Sequence, residues 1–525
     1  MTRSRRALWC AASVAAACTL AAQAAPGLAA QTATTAQTAA TARAAAKTGP
    51  ASSSSAGPTI RLVATERSVT VGQQSRQHVF LDPGVYVEAL NSALQFDVRL
   101  PRYGGPQTLT QIIHLPGGAQ ISRPLSATLL RKWLGLRHFL RITVVNKAGK
   151  TVGDQVTPFC PDVFDPQRGT LGSPVNSPFP QTACFANPFT KGAVWGVQRG
   201  WGVNPLEFNS PSFRLRLGTY RLTVAITDIY RRLLHISAAD AVVHLKLKVT
   251  KVAGCCGNSP CCGPPAPRRR QAGSLAPLPR VPYLTNPSRS ELPDLVALPA
   301  WGISVQRVRQ GSKKPTTDQL AFGATVWIGG NSPLDVEGFR SGTSPTMKAY
   351  QYFYRNGRVV GRARAGTMGF DNKPGHHHWH FEQFAQYRLL NAAKSLVLRS
   401  QKVGFCIAPT DAIDLALRAA QWQPSQTGLS GACGSPTALW VREMLPVGWG
   451  DTYFQFVAGQ SFNVTNLPNG KYYIELIANP DGVLHETTTS NDISLREVIL
   501  SGTPGHRKVR VPAWHGIDPE GYPKA

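Results

Sequence analysis

Helix-favouring charged runs are scarce in this 525-residue sequence, in which Asp, Glu, Lys and Arg together make up 16%. With 48 Gly, 41 Pro and short runs of Val, Thr, Leu and Tyr, that scarcity favours a β-rich protein. Beyond the N-terminus no apolar run is long enough for a transmembrane helix. Acidic residues are few, 28 against 56 Lys plus Arg, which leaves a net charge of +28. No aromatic–basic motif accompanies that charge, so nucleic acid is not the expected partner of a chain that reads as exported. Acidic proteins or anionic wall polymers suit it better, and a solvated basic face is the plain alternative. The HExxH of zinc proteases, which needs helical spacing and a glutamate base, is absent.

What is present begins with a leader. Met1 to Arg6 is basic, Ala7 to Leu20 is apolar, and small-residue sites such as Ala22-Gln23-Ala24 follow, the layout of a secretory signal peptide over residues 1–30. SRRALW also resembles a twin-arginine signal. Residues 31–57 are rich in Ala, Thr, Ser and Gln without hydrophobic periodicity, and read as a disordered spacer. Export places the ten cysteines in an oxidising setting. Cys160 with Cys184, and Cys406 with Cys433, read as two structural disulfides. The cluster CCGNSPCC, Cys255 to Cys262, reads as a stapled linker more readily than as a thiolate metal site.

At roughly 150 residues per domain, the length predicts two or three domains. Residues 58–251 alternate in segments such as FRLRLGTYRLTVAI (Phe213 to Ile226) and VVHLKLKV (Val242 to Val249), the period of half-buried strands. They predict a β-sandwich accessory domain with no cluster of catalytic residue types. Residues 252–290 are a Pro/Arg/Cys-rich, semi-rigid linker. Residues 291–511 read as a second β unit, with a hairpin turn at Asn356-Gly357, and residues 512–525 as a C-terminal tail. The fold class expected is all-β, two β-sandwich-like domains joined by that linker.

One stretch carries chemistry. The chain has twelve histidines, and four of them fall at 376, 377, 378 and 380, in KPGHHHWHFEQF. If Gly375 to Phe381 is extended, His376, His378 and His380 share one face, with His377 and Trp379 on the other. Three neutral imidazoles suit copper or zinc rather than calcium or magnesium.

These histidines belong to an ordered set of motifs that resembles a secreted bacterial member of the lysyl oxidase family, the copper- and quinone-dependent amine oxidases. LPDL (Leu292 to Leu295) resembles the start of the family's catalytic domain, and His376-x-His378-x-His380 its copper motif. SQKVGFC (Ser400 to Cys406) resembles the segment of the cofactor lysine, and GWGDTY (Gly448 to Tyr453) that of the cofactor tyrosine. ANPDGVLHETTTSND (Ala478 to Asp492) resembles the closing motif. The likeness covers about 230 residues of the second unit.

The resemblance implies copper held by His376, His378 and His380, and lysine tyrosylquinone made from Lys402 and Tyr453. It implies oxidation of primary amines, peptidyl lysine or small amines, to aldehydes with release of hydrogen peroxide and ammonia. Asp451 is the candidate orienting group or base, while Glu486 and Asn491 are expected to act structurally. Gln386 stands where animal members have histidine, so that residue's role must fall elsewhere. The additional disulfides of the animal domain are missing. Without the quinone, the alternative is a secreted or wall-associated metal-binding protein that lacks catalysis.

Overall fold

The computed structural model describes residues 57–74, 77–207, 209–251, 275–309, 315–372, 377–400, 402, 404–424, 433–455, 457 and 459–521. The leader, the Cys255–Cys262 cluster, the basic run at 268–270 and the candidate ligand His376 lie outside them. All described residues fall in one compact unit, Ser55–Ala525. Strands dominate, and the one α-helix among the described residues is Asp228–Leu233. No described helix is long and apolar enough to cross a membrane.

The first half builds its sheets from the alternating segments. A five-stranded sheet runs in the order Ser68–Gln73, Val242–Lys251, Gly218–Ile226, Leu136–Val145, Thr151–Phe159. Two four-stranded sheets and a short strand pair complete this half. In Val242–Lys251 the residues Leu245, Leu247 and Val249 are buried while Lys246 and Lys248 are exposed, so the period-two reading holds. The stretch Phe213 to Ile226 is two strands, Ser212–Arg214 and Gly218–Ile226, each in a different sheet. One core, including Phe96, Phe139, Phe159, Trp195 and Tyr230, unites these sheets.

Three sheets make the second half. One centres on the long strand Thr316–Ile328, which pairs with Leu295–Ala297, Trp301–Arg309, Trp449–Tyr453 and Ser461–Asn463. Another runs His378–Phe381, Arg358–Asp371, Thr346–Arg355, Leu334–Phe339, Trp440–Leu445. The third runs from Leu396–Arg399 to Lys508–Arg510 through Ala385–Asn391, Gly470–Ala478 and Ile493–Ser501. The predicted hairpin turns at Asn356 and Gly357, both at positive φ (50° and 75°), as a two-residue turn requires. Both halves contain a tyrosine corner: Tyr220 donates to the Arg216 carbonyl and Tyr472 to the Pro468 carbonyl, each at 2.8 Å.

Parts of the segments read as linker and as C-terminal tail are docked. Leu278 donates its amide to Glu337 (2.9 Å), Arg442 donates to the Ala276 carbonyl (2.7 Å), and Tyr283 bridges to Arg362, so the last part of the linker lies along a sheet. At the C-terminus, Trp514 packs on Tyr103 and Phe189 of the first half, with ring centroids 5.1 and 5.2 Å apart. Glu520 accepts from the Ile303 amide and pairs with Arg496. Pro content reports the lack of regular structure in these segments, and says nothing about what they dock against.

Candidate functional site

The site starts from a strand edge. His378–Phe381 pairs antiparallel with the end of Arg358–Asp371, setting His378 opposite Asp371 and His380 opposite Gly369. Alternation turns Trp379 into the core, fully buried, with Arg340 stacked 4.7 Å above its ring, and leaves His378 and His380 on the other face. Their rings lie 4.7 Å apart, nearly perpendicular, and His380 Nδ1 is 3.7 Å from Asp371 Oδ2. The extended run is shorter than the sequence suggests: His377 has φ 47°, left-handed, so the alternation begins at His378. His376 lies outside the described residues, and among those described no three His, Cys, Asp or Glu groups converge on one cation position. Two imidazoles on one face beside a carboxylate are nonetheless a donor set that fits copper or zinc.

The lysine segment runs beside this strand. Phe381 and Phe405 exchange backbone hydrogen bonds of 2.8 and 3.0 Å. Trp379 donates to the Cys433 carbonyl at 2.9 Å, and Cys433 is bonded to Cys406, with Cα atoms 5.8 Å apart. The second disulfide, Cys160–Cys184, also forms, in the first half. Gly404 permits the close approach of the two backbones: a Cβ there would lie 2.7 Å from the Cβ of His380. Two residues earlier, the chain buries Lys402, which is only 6% exposed.

Tyr453 arrives from another sheet. Its strand, Trp449–Tyr453, pairs with Thr316–Ile328 and is buried along its whole length. Period two puts Asp451 and Tyr453 on one face and Thr452 on the other. The Tyr453 hydroxyl donates to the Cys406 carbonyl (3.1 Å) and accepts from the Cys406 amide (2.8 Å), while Phe405 meets its ring edge-on at 5.1 Å. Lys402 Nζ stands 4.5 Å from the centroid of the Tyr453 ring and 5.2 Å from that of Phe405. The structure thus brings Lys402, Tyr453 and Asp451 together and runs the segment of Lys402 against His380.

Burial sets the electrostatics. Desolvation pushes Asp451 well above the ordinary carboxylate range; the Lys402 charge pulls it down, while Asp411 adds to the rise. Both Asp451 oxygens are buried, and the Ala408 amide faces them and also draws the carboxyl down. The Tyr453 phenol is raised by burial first, then by Asp451, Tyr387 and Glu443, and so stays protonated. Glu443 is a residue that motif reasoning missed. It is fully buried, accepts from the Ile407 amide at 2.9 Å, and is also pushed up by burial, with Asp451 adding to the rise. Two successive amides of the lysine segment, Cys406 and Ile407, are therefore held by Tyr453 and Glu443. Nothing local marked Glu443, since VREML reads as an ordinary alternating strand.

The remaining motif positions serve the frame. Glu486 accepts from the Leu295 amide (3.1 Å) and from Asn479 (2.6 Å), and Asn491 donates to Asp294. The closing motif is thereby tied to the LPDL start. Gln386 accepts from Arg388 at 2.7 Å and sits one residue from the buried Tyr387, on the opposite strand face.

Part of the chain is similar to known proteins. Residues 351–508 match the family model described as Lysyl oxidase, a span that contains the histidine strand, Lys402, Glu443, Asp451 and Tyr453. Mouse "Lysyl oxidase homolog 4" is 28% identical over 141 residues, which is 27% of this chain and 17% of that relative. The chain thus spans about a sixth of the length of the relative it matches. In residues 351–508 the chain carries a domain of the lysyl oxidase family.

Proposed function

We propose that this protein is an exported copper-dependent amine oxidase, with His376, His378 and His380 as metal ligands and Lys402 and Tyr453 as the precursors of a lysine tyrosylquinone. One observation carries the reading: a buried lysine amine stands 4.5 Å over the ring of a buried tyrosine, on a segment packed against a histidine-bearing strand. Holding a lysine amine out of water costs free energy, and Asp451 is the charge that offsets it. The overall reaction takes a primary amine, dioxygen and water to an aldehyde, ammonia and hydrogen peroxide. Copper and the quinone supply what the side chains lack, removal of two electrons from the amine with dioxygen as final acceptor.

The chain's own residues do the rest. Phe405 and the two bonds to Cys406 fix the plane of the Tyr453 ring, so the Lys402 amine meets it from one direction. For its nitrogen to act as a nucleophile, Lys402 must release a proton, and Asp451, the charge that offsets it, is the acceptor in reach of that field. Asp451, held above the ordinary carboxylate range by burial, is also suited to take a proton from a substrate carbon and return it. Glu443 anchors the Ile407 amide, and so the lysine segment, in the same dry pocket.

The leader and two disulfides support export to an oxidising compartment, extracellular or wall-associated. The +28 charge supports substrates whose lysines sit among acidic groups. Peroxide release from copper-loaded protein, offered butylamine and lysyl peptides with acidic or basic flanks, tests the oxidase reading and the charge preference. Turnover with a preference for acidic flanks is expected. Copper binding with no peroxide from any amine would leave only a metal-binding surface protein.

A further inference from the structure

The strand that carries Asp451 and Tyr453 has two faces, and only the front faces Lys402. Its back is lined by second-half residues, Thr325 and Thr410 among them, and Asn187 of the N-terminal half reaches it through Thr325. Thr452, between Asp451 and Tyr453, turns its hydroxyl to Thr325 Oγ1 at 2.8 Å. Thr325 is fully buried and also accepts from Asn187 Nδ2 at 3.2 Å. The same Asn187 nitrogen lies 3.5 Å from Asp411 Oδ2, and Asp411 begins the short strand Asp411–Ala412 that flanks Trp449–Tyr453. Asn187 itself is 2% exposed, and its Oδ1 accepts from the Phe189 amide at 3.0 Å, which fixes the amide plane and aims Nδ2 at the threonine and the aspartate.

Backbone contacts flank this side-chain link. The amides of Lys191 and Gly192 donate to the Ile413 carbonyl at 2.7 and 3.2 Å, and the Leu415 amide donates to the Gly192 carbonyl at 2.9 Å. Hydrogen bonding therefore links the first half's sheet to residues 413–415, and the amides of Ile413 and Asp414 donate to the Gly448 carbonyl, just before the strand of Tyr453. Thr452 is fixed once more through its own amide, which donates to Thr410 Oγ1 at 2.7 Å.

We infer that the N-terminal half is a built-in support for the strand of Tyr453, and that Asn187 is the positioning residue through which it acts. Its consequence for the cofactor rests on the proposed reading of Lys402 and Tyr453; its structural content does not. Side-chain precision at such a site depends on a backing that holds the strand still, and a donor shared between Thr325 and Asp411 does this from behind. Asp411 is raised by burial and drawn back by hydrogen bonds from Thr452 and Asn187, and its charge is among those that set Asp451. Asn187 thus touches both the place and the electrostatics of the front face without reaching it.

The test compares three full-length variants. Asn187→Ala removes the link. Asn187→Asp keeps its volume and the bond from the Phe189 amide, and sets a carboxylate oxygen against Asp411 where the donor stood. Arg99→Ala removes a different bond between the halves, Arg99 Nη2 to the Ala416 carbonyl at 2.6 Å, which does not reach the tyrosine strand. Amide exchange in residues 449–453 and the yield of Lys402–Tyr453 cross-linked peptide are read for each, with thermal unfolding as the check on folding. The expected result is exchange at least about tenfold faster in both Asn187 variants, the order of one lost buried hydrogen bond, and a lower cross-link yield. Arg99→Ala should lower only the unfolding temperature. Wild-type exchange in Asn187→Asp, or equal loosening in Arg99→Ala, would overturn the inference. A wild-type protein without any cross-link would overturn the proposed cofactor, while the exchange comparison would still decide the role of Asn187.

Discussion

The ε-amine of Lys402 and the ring of Tyr453 are held face to face at 4.5 Å although 51 residues separate them in the chain. Two sheets and one disulfide-braced segment produce that contact. The lysine comes on a segment bonded to the histidine strand, and the tyrosine on a strand of the neighbouring sheet. Within the proposed function, an amine placed so stands within side-chain reach of the ring, and its bond to a ring carbon would replace a C–H bond with dioxygen as the oxidant.

Lys402→Met preserves length and burial but removes the nucleophile. Peroxide release should fall at least about 100-fold, the usual scale for losing a covalent participant. Copper content should stay near that of the wild type, because the ligands are untouched. Metal analysis beside the peroxide assay checks both. Retained turnover would show that the amine takes no part.

Gly404→Ala places a methyl group 2.7 Å from the Cβ of His380, closer than packed carbons approach. The lysine segment and the histidine strand must separate, at a cost of about 1–3 kcal/mol. A lower unfolding temperature and weaker copper binding are expected together. A destabilised protein with unchanged copper affinity would show that His380 is not held by this contact.

The histidines drew notice through their own spacing, two apart on a strand, whereas Lys402 and Tyr453 stood out only because their segments resemble those of the lysyl oxidase family. The strand pattern was readable for the same local reason, as in Leu245, Leu247 and Val249. What escaped is non-local. Asn187 reaches Thr325 across 138 residues and Asp411 across 224, and no neighbour in sequence announces either contact. Glu443 looks like any polar residue on an alternating strand until the fold buries it. His377 defeats the extended reading of Gly375 to Phe381 through one left-handed φ, which residue type alone does not dictate.

Glu443→Gln tests the buried acid through pH. Burial raises the Glu443 carboxyl above its ordinary value, so the folded protein keeps this proton where the unfolded chain has lost it. Stability from this group is then greatest below about pH 4 and declines as pH rises above that value. Glutamine has no such proton and still accepts from the Ile407 amide. Urea unfolding from pH 4 to 8 should show a shallower decline in the variant. Parallel curves would mean that Glu443 titrates normally.

Replacing both Cys406 and Cys433 with serine removes the brace between the lysine segment and the histidine strand, at a cost of about 2–4 kcal/mol. Cross-link yield should fall with the unfolding temperature, because Cys406 also holds the Tyr453 hydroxyl from both sides through its backbone. The matching pair Cys160→Ser, Cys184→Ser lies in the first half and should cost stability with a smaller loss of cross-link.

Peptide mapping of the purified, copper-loaded protein by mass spectrometry decides the central claim. The peptides that contain Lys402 and Tyr453 should appear as one covalently joined species carrying the oxidised ring, with a visible quinone absorbance that disappears in Lys402→Met. Two separate, unmodified peptides from protein with a full complement of copper would contradict it.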